Sequence, residues 1–252
     1  MQDMSQFTGK LAALRASVAK AGLEKKSSRI PLGHAAADLC LKGGLKRGVL
    51  HEVFAVIGHE AAATGFTAGL AARAAANRHL LWIRQDFSAL EYGEISATGF
   101  LEFGLGPARM LLLCVADAAD GLRAATDALS CAALGAVVIE IPGAPKILDL
   151  VTSRRLTLAS AQKTVTAFLL RFGSLPAASS AETRWLVRAA FLPAQNENWG
   201  HPVFKADLIR NRHGQTGQWV MEWNCDDGVF QNPAANSGLV VSAPFNRQVA
   251  TA

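Results

Sequence analysis

Apolar residues in this chain fall into short, nearly continuous runs separated by longer stretches with helical spacing. Leu50 to Ile57, His79 to Arg84, Arg109 to Val115, Ala136 to Ile141 and Thr164 to Arg171 are such runs. Their apolar character predicts the strands of a parallel sheet covered on both faces. Between them, Thr64 to Arg78, Asp117 to Leu134 and Leu148 to Gln162 read as helices, and Phe87 to Phe103 as loop and helix. Asp117 is a suitable N-cap. Strand–helix alternation of this kind predicts an α/β fold whose mostly parallel sheet is covered by helices on both faces.

The pattern changes after Gly173 to Glu182, a small and polar loop. Arg184 to Ala190 reads as one more strand. Phe204 to Arg212, the turn His213 to Gly217, and Gln218 to Trp223 read as an antiparallel hairpin at the C-terminal side. At the other end, Ser5 to Leu23 has Phe7, Leu11, Leu14 and Val18 on one helical face. Ser5 is a candidate N-cap and Gly22 a terminator. This helix either packs on its own core or docks on a partner. The expected organisation is an N-terminal helix and linker over 1–29, one domain over 30–230, and a flexible tail over 231–252.

Composition narrows the class. The chain has 252 residues, 50% hydrophobic and 18% charged, which suffices for one large core. Each candidate membrane span is interrupted by Arg, Asp or Glu, and the N-terminus lacks the apolar block of a secretory signal. No membrane association and a cytoplasmic location are therefore expected. Cys40, Cys114, Cys131 and Cys225 are far apart, with no C-x-x-C pair. Buried thiols in a reducing compartment fit better than a zinc site. The net charge of +5 is compatible with a nucleic-acid or acidic-protein partner without demanding one.

The stretch Gly43-Gly44-Leu45-Lys46-Arg47-Gly48, followed by an apolar strand and a small-residue loop, begins as a phosphate-binding element does. Such a loop has the spacing G-x-x-x-x-G-K-[ST]. Its glycines turn N–H groups inward, its lysine neutralises phosphate, and its hydroxyl holds Mg²⁺. Here Gly58 is followed by Gly65 after six residues, with Phe66 and Thr67 next. Phe66 stands where the lysine belongs. The shorter register puts Ala63 and Thr64 at the glycine and lysine positions. No lysine occurs between Lys46 and Lys146, and Arg73 lies too far along the helix to substitute. Glu140, ending an apolar run, occupies a vestigial Walker B position and is expected to be satisfied by neighbouring N–H groups. Asp86 is a weak candidate for a water-activating acid. Without the lysine, phosphoryl transfer loses its main electrostatic stabilisation. The expectation is a non-enzyme with a degenerate loop and no cofactor.

Gly43-Gly44-Leu45 through Glu52-Val53 resembles the turn before the phosphate loop of RecA recombinases. The chain more closely resembles the ImuA family, described as RecA-like and at times as similar to the division inhibitor SulA. The resemblance rests on Ile30-Pro31-Leu32-Gly33, Leu50-His51-Glu52-Val53, Ser153-Arg154-Arg155-Leu156, Thr166 to Arg171, Ala181 to Trp185, Ala206 to Arg212 and Gly217 to Trp223, in that order. It implies a RecA-like P-loop NTPase core with a degenerate P-loop. It also implies an accessory role in SOS-induced mutagenic translesion synthesis and DNA repair. The implied partners are ImuB, an inactive relative of Y-family polymerases, and through it an error-prone replicative-type polymerase. RecA, a second copy and DNA are further candidates. The alternatives are a DNA-dependent ATPase with an unorthodox site and a SulA-like inhibitor of cell division.

In the RecA fold, loops corresponding to Pro142–Asp149 and Phe172–Thr183 meet DNA. Here they carry only Lys146, too little for a strong phosphate grip. Lys46, Arg47, Arg154, Arg155, Lys205, Arg210 and Arg212 are the other candidate DNA contacts. Period-two spacing is expected to put Arg210 and Arg212 on one strand face. Trp185, Trp219 and Trp223 read as sheet packing.

Overall fold

The computed structural model describes residues 29–190 and 201–233. Its elements are β1 (Arg29–Ile30), α1 (Ala35–Cys40), β2 (Leu45–Lys46), β3 (Leu50–Ala55), α2 (Glu60–Ala75), β4 (His79–Gln85), α3 (Ser88–Tyr92), α4 (Ala97–Glu102), β5 (Met110–Val115), α5 (Ala118–Ala128), β6 (Leu134–Pro142), α6 (Leu150–Lys163), β7 (Thr166–Phe172), β8 (Thr183–Ala189), β9 (Val203–Asn211), β10 (Gly217–Asn224) and β11 (Val229–Gln231).

Nine strands form one sheet in the order β11-β10-β9-β8-β3-β7-β6-β4-β5. The block from β8 to β5 is parallel. The pairs β8–β9, β9–β10 and β10–β11 are antiparallel. The α/β class, the mostly parallel sheet and the C-terminal hairpin are thus present. β1 and β2 make a separate two-stranded ribbon.

Period-two alternation divides the core into two layers. Ala136 and Val138 of β6, with Phe168, Leu170 and Phe172 of β7, join α2 and the hairpin in one cluster. Val137, Ile139, Ala167 and Leu169 point the other way and pack with α5 and α6. Two buried polar side chains of β3, Glu52 and His51, are tied into these layers. Glu52 Oε2 accepts from Arg184 Nε at 2.6 Å, and both side chains are buried. His51 donates from Nε2 to the Lys46 carbonyl at 2.9 Å and faces the Thr183 hydroxyl at 2.7 Å.

Two glycines are dictated by close approach. Gly44 has φ +116, and a Cβ there would collide with the Ile30 carbonyl. Gly69, inside α2, would put a Cβ 2.8 Å from the Phe230 ring and 2.9 Å from Trp223.

Several boundaries differ from the sequence reading. The second helix runs Glu60–Ala75, starting four residues before Thr64. β3 stops at Ala55, not Ile57. The run from Phe87 to Phe103 holds two short helices. α5 ends at Ala128, and β6 already starts at Leu134. Arg29 belongs to β1, not to a linker. Gln231 lies in β11, not in a tail, because Phe230 beside it is fully buried. The expected helix Ser5 to Leu23 lies outside the described residues, as does the tail from residue 234 onward.

Candidate functional site at the carboxy-terminal end of the sheet

Strands β4, β6 and β7 end beside the first turns of α2, and α3 and α4 cover the gap. A cavity of about 300 Å³ lies there, lined by Thr64 and Gly65 of α2, Arg84, Glu140, Tyr92, Phe100 and Phe172, among others. Ligands of parallel sheets bind at this end.

The connection from β3 to α2 is only Val56, Ile57, Gly58 and His59. The run Glu60-Ala61-Ala62-Ala63 favours helix, so α2 begins at once. The expected loop residues Thr64, Gly65, Phe66 and Thr67 therefore sit inside a helix. Their N–H groups are not free to form a cradle. The Thr64 hydroxyl donates to Glu60 O at 3.0 Å, and that of Thr67 to Ala63 O at 2.7 Å. Gly58 has φ +80 and donates its N–H to Glu60 Oε1 at 3.2 Å. Glu60 thus places a carboxylate in the first turn of α2, whose positive end it complements. His59 Nδ1 accepts from Ala189 N at 3.2 Å, which fastens the turn to β8.

Phe66 is fully buried. Its ring centroid lies 5.5 Å from Trp185, 5.8 Å from Phe204 and 5.1 Å from Phe230. The residue at the lysine position is a core residue, held in place by the hairpin. Trp185 and Trp223 are buried in the same cluster, and Trp219 packs against it, as expected.

Glu140 is expected to be satisfied by neighbouring N–H groups, and one of its oxygens is, by an indole, while the other has no hydrogen-bond partner among the described residues. Alternation along β4 and β6 brings Trp82, Arg84 and Glu140 to one face. Trp82 Nε1 donates to Glu140 Oε2 at 3.1 Å. Arg84 Nη2 lies 3.3 Å from Glu140 Oε1, at ion-pair distance but without hydrogen-bond geometry. Arg84 Nη2 also donates to Gly93 O at 3.0 Å, and Nη1 is 3.9 Å from the exposed carboxylate of Glu94. Arg84 Nε, Arg84 Nη1 and Glu140 Oε1 keep no hydrogen-bond partner among the described residues. Nothing in the sequence pairs positions 84 and 140; only the strand order does. Asp86 is exposed and does not line the cavity. Tyr92 is pushed toward a higher pKa by burial, then by the negative charges of Glu91, Glu60 and Glu140.

A RecA-like core implies a nucleotide with Mg²⁺, and these residues do not fit that group. The helix start holds a carboxylate, both threonine hydroxyls are spent on helix carbonyls, and Glu140 faces an arginine. Among the described residues, no group of three or more His, Cys, Asp or Glu side chains is arranged to hold a metal ion.

The candidate DNA contacts lie on separate elements. Lys46 and Arg47 are half-buried, not exposed on a free turn. Arg47 Nη1 donates to the Ala74 carbonyl at 2.6 Å, and burial, then Arg78, holds its pKa below the usual arginine value. Lys146 lies in the loop before α6, and Arg154 and Arg155 on its exposed face. Lys205 is half-buried on β9, and Arg210 Nη1 donates to Ser179 O at 3.2 Å. A bulge interrupts β9 near Ile209, and the strand ends at Asn211. Arg212 lies one residue past the strand, with its N–H still donating to the Glu182 carbonyl at 2.9 Å.

These features define an α/β protein with a nine-stranded, mostly parallel sheet. Its carboxy-terminal end carries a cavity floored by an Arg–Glu pair, beside the first turns of α2. No family model matches the chain. It is similar to the protein named Protein ImuA from Caulobacter vibrioides, in strains NA1000/CB15N and ATCC 19089/CB 15. Identity is 28% over 223 residues, covering 81% of this chain and 86% of the relative. No helix among the described residues is long and apolar enough to cross a membrane.

Proposed function

We propose that this chain is a non-catalytic, RecA-like accessory factor in DNA-damage-induced mutagenesis, acting through protein contacts. The observation that carries the non-catalytic half is Phe66, fully buried in the core at the position that a phosphate loop gives to its lysine. The similarity to Protein ImuA supports the biological setting. The family resemblance supplies the partner: ImuB, and through it an error-prone replicative-type polymerase.

In this reading residues 30–230 are the platform, with β11 extending it to Gln231. The N-terminal segment and the tail are the first candidates for partner contact. Direct DNA contact is secondary, because the candidate basic residues are dispersed and four of them, Lys46, Arg47, Lys205 and Arg210, are half-buried.

The test is calorimetric titration of the full chain with ImuB, with and without Mg²⁺-ATP. The expected outcome is the same affinity in both. Binding that appears only with nucleotide, or ATP turnover stimulated by single-stranded DNA and lost in Glu140→Gln, would overturn the non-catalytic reading.

A further inference from the structure

Helix α6 carries apolar residues on its outward face as well as on its core side. Its buried positions are Ser153, Leu156, Ala159 and Ser160. Leu150, Val151 and Leu158 face solvent at 52%, 57% and 59% exposure, and Ile147 just ahead of the helix is 47% exposed. A helix covered only on its core side shows the opposite distribution.

The inward face is nevertheless complete. Ser153 Oγ donates to Leu150 O at 2.9 Å and accepts from Ser180 N at 3.1 Å. Ser160 Oγ donates to Leu156 O at 2.8 Å. Thr157 Oγ1 lies 2.8 Å from Ser180 Oγ. The two contacts with Ser180 tie this face of the helix to the loop before β8.

The charges on the outward face are of one sign where it matters. At helical spacing, Leu150, Arg154 and Leu158 form one row, and Arg155 follows Val151 one turn on. Both guanidinium groups are exposed and sit between apolar positions. Among the described residues neither is in an ion pair. Lys146 lies at the approach to the helix. The nearby carboxylate, Asp149, is occupied as the N-cap, accepting from Thr152 N at 2.7 Å.

We propose that the outward face of α6 is the docking site for an amphipathic helix of a partner protein, with a pair of carboxylates flanked on both sides by apolar residues. Apolar–acidic–apolar order in the partner matches apolar–basic–apolar order here. A nucleic-acid backbone would meet the arginines but would leave Leu150, Val151 and Leu158 uncovered. A protein helix satisfies both. The fit depends on the face itself and holds whatever process the protein serves.

The experiment uses the full chain and a fluorescein-labelled synthetic helical peptide with the repeat Leu-x-x-Glu-Glu-x-x-Leu. The same peptide with Lys for Glu, and a labelled oligothymidylate, are run beside it. The expected result is saturable binding of the Glu peptide, weakened about tenfold by Leu158→Ser. The Arg154→Glu/Arg155→Glu variant loses the Glu peptide and gains the Lys peptide, and that gain also shows the variant is folded. The proposal is overturned if the Glu peptide does not bind, or binds both variants as it binds the original chain. It is equally overturned if oligothymidylate is the only probe that responds to the double charge reversal.

Discussion

His51 shows how much one side chain can hold in the middle of a parallel sheet. It is fully buried and stacked on Phe168 at 5.6 Å. With Nε2 donating to the Lys46 carbonyl, Nδ1 is left to accept from Thr183 Oγ1, which in turn accepts from Trp185 Nε1 at 3.1 Å. A proton on Nδ1 would break this relay. Burial, above all, lowers the pKa of His51 from 6.5 to about 4. Between those values the unfolded chain binds a proton that the folded chain refuses. Stability is therefore intact above pH 6.5 and is lost as pH falls toward 4. The full loss is about 3 kcal/mol for a shift of this size. Urea unfolding of the wild type and His51→Phe at pH 7 and pH 4.5 checks this: the variant should lose less stability between the two.

At the scale of elements, α2 decides what the candidate site can do. The strands around it were legible, because apolar runs of six to nine residues bounded by glycine or polar turns admit few other readings. The start of α2 was not. Gly58 and Gly65 suggested a loop between them, yet Glu60-Ala61-Ala62-Ala63 has strong helix propensity and a carboxylate suited to the first turn. Local propensity therefore outweighed the motif. The Arg84–Glu140 pair was invisible for another reason: its members lie 56 positions apart, and strand order alone makes them neighbours. Phe66 tests the element as a whole. Phe66→Ala should cost about 3–5 kcal/mol by opening a cavity against Trp185 and Phe230. Phe66→Lys, which restores the motif letter, should cost at least as much and confer no ATP affinity, because the cation is buried without a partner. Guanidinium unfolding and fluorescent-nucleotide titration of both variants would show it. ATP binding by Phe66→Lys would refute this account of the helix.

The whole molecule is held together where the chain hops over β3. After β7 is laid on one side of β3, β8 must be placed on the other. The buried Arg184–Glu52 pair stitches that junction, and Arg184 also donates from Nη2 to the Ala177 carbonyl, which draws the preceding loop in. Removing one partner leaves a buried charge alone. Arg184→Leu or Glu52→Leu should each cost about 3–5 kcal/mol, while the double replacement should be much closer to the original stability. A double-mutant cycle by chemical denaturation reads this directly; equal losses in single and double variants would sink it.

The position of β3 also sets an order of events during synthesis. Its two neighbours, β7 and β8, are both encoded more than 100 residues downstream, so the central strand leaves the ribosome long before either can pair with it. Until Ala189 has emerged, at least one long edge of β3 stays open. Contacts of such sequence separation fold slowly and expose edges while they wait. The nascent chain thus passes through a prolonged stage of vulnerability to aggregation, and for β3 that stage ends only when the last parallel strand arrives to cover its remaining edge.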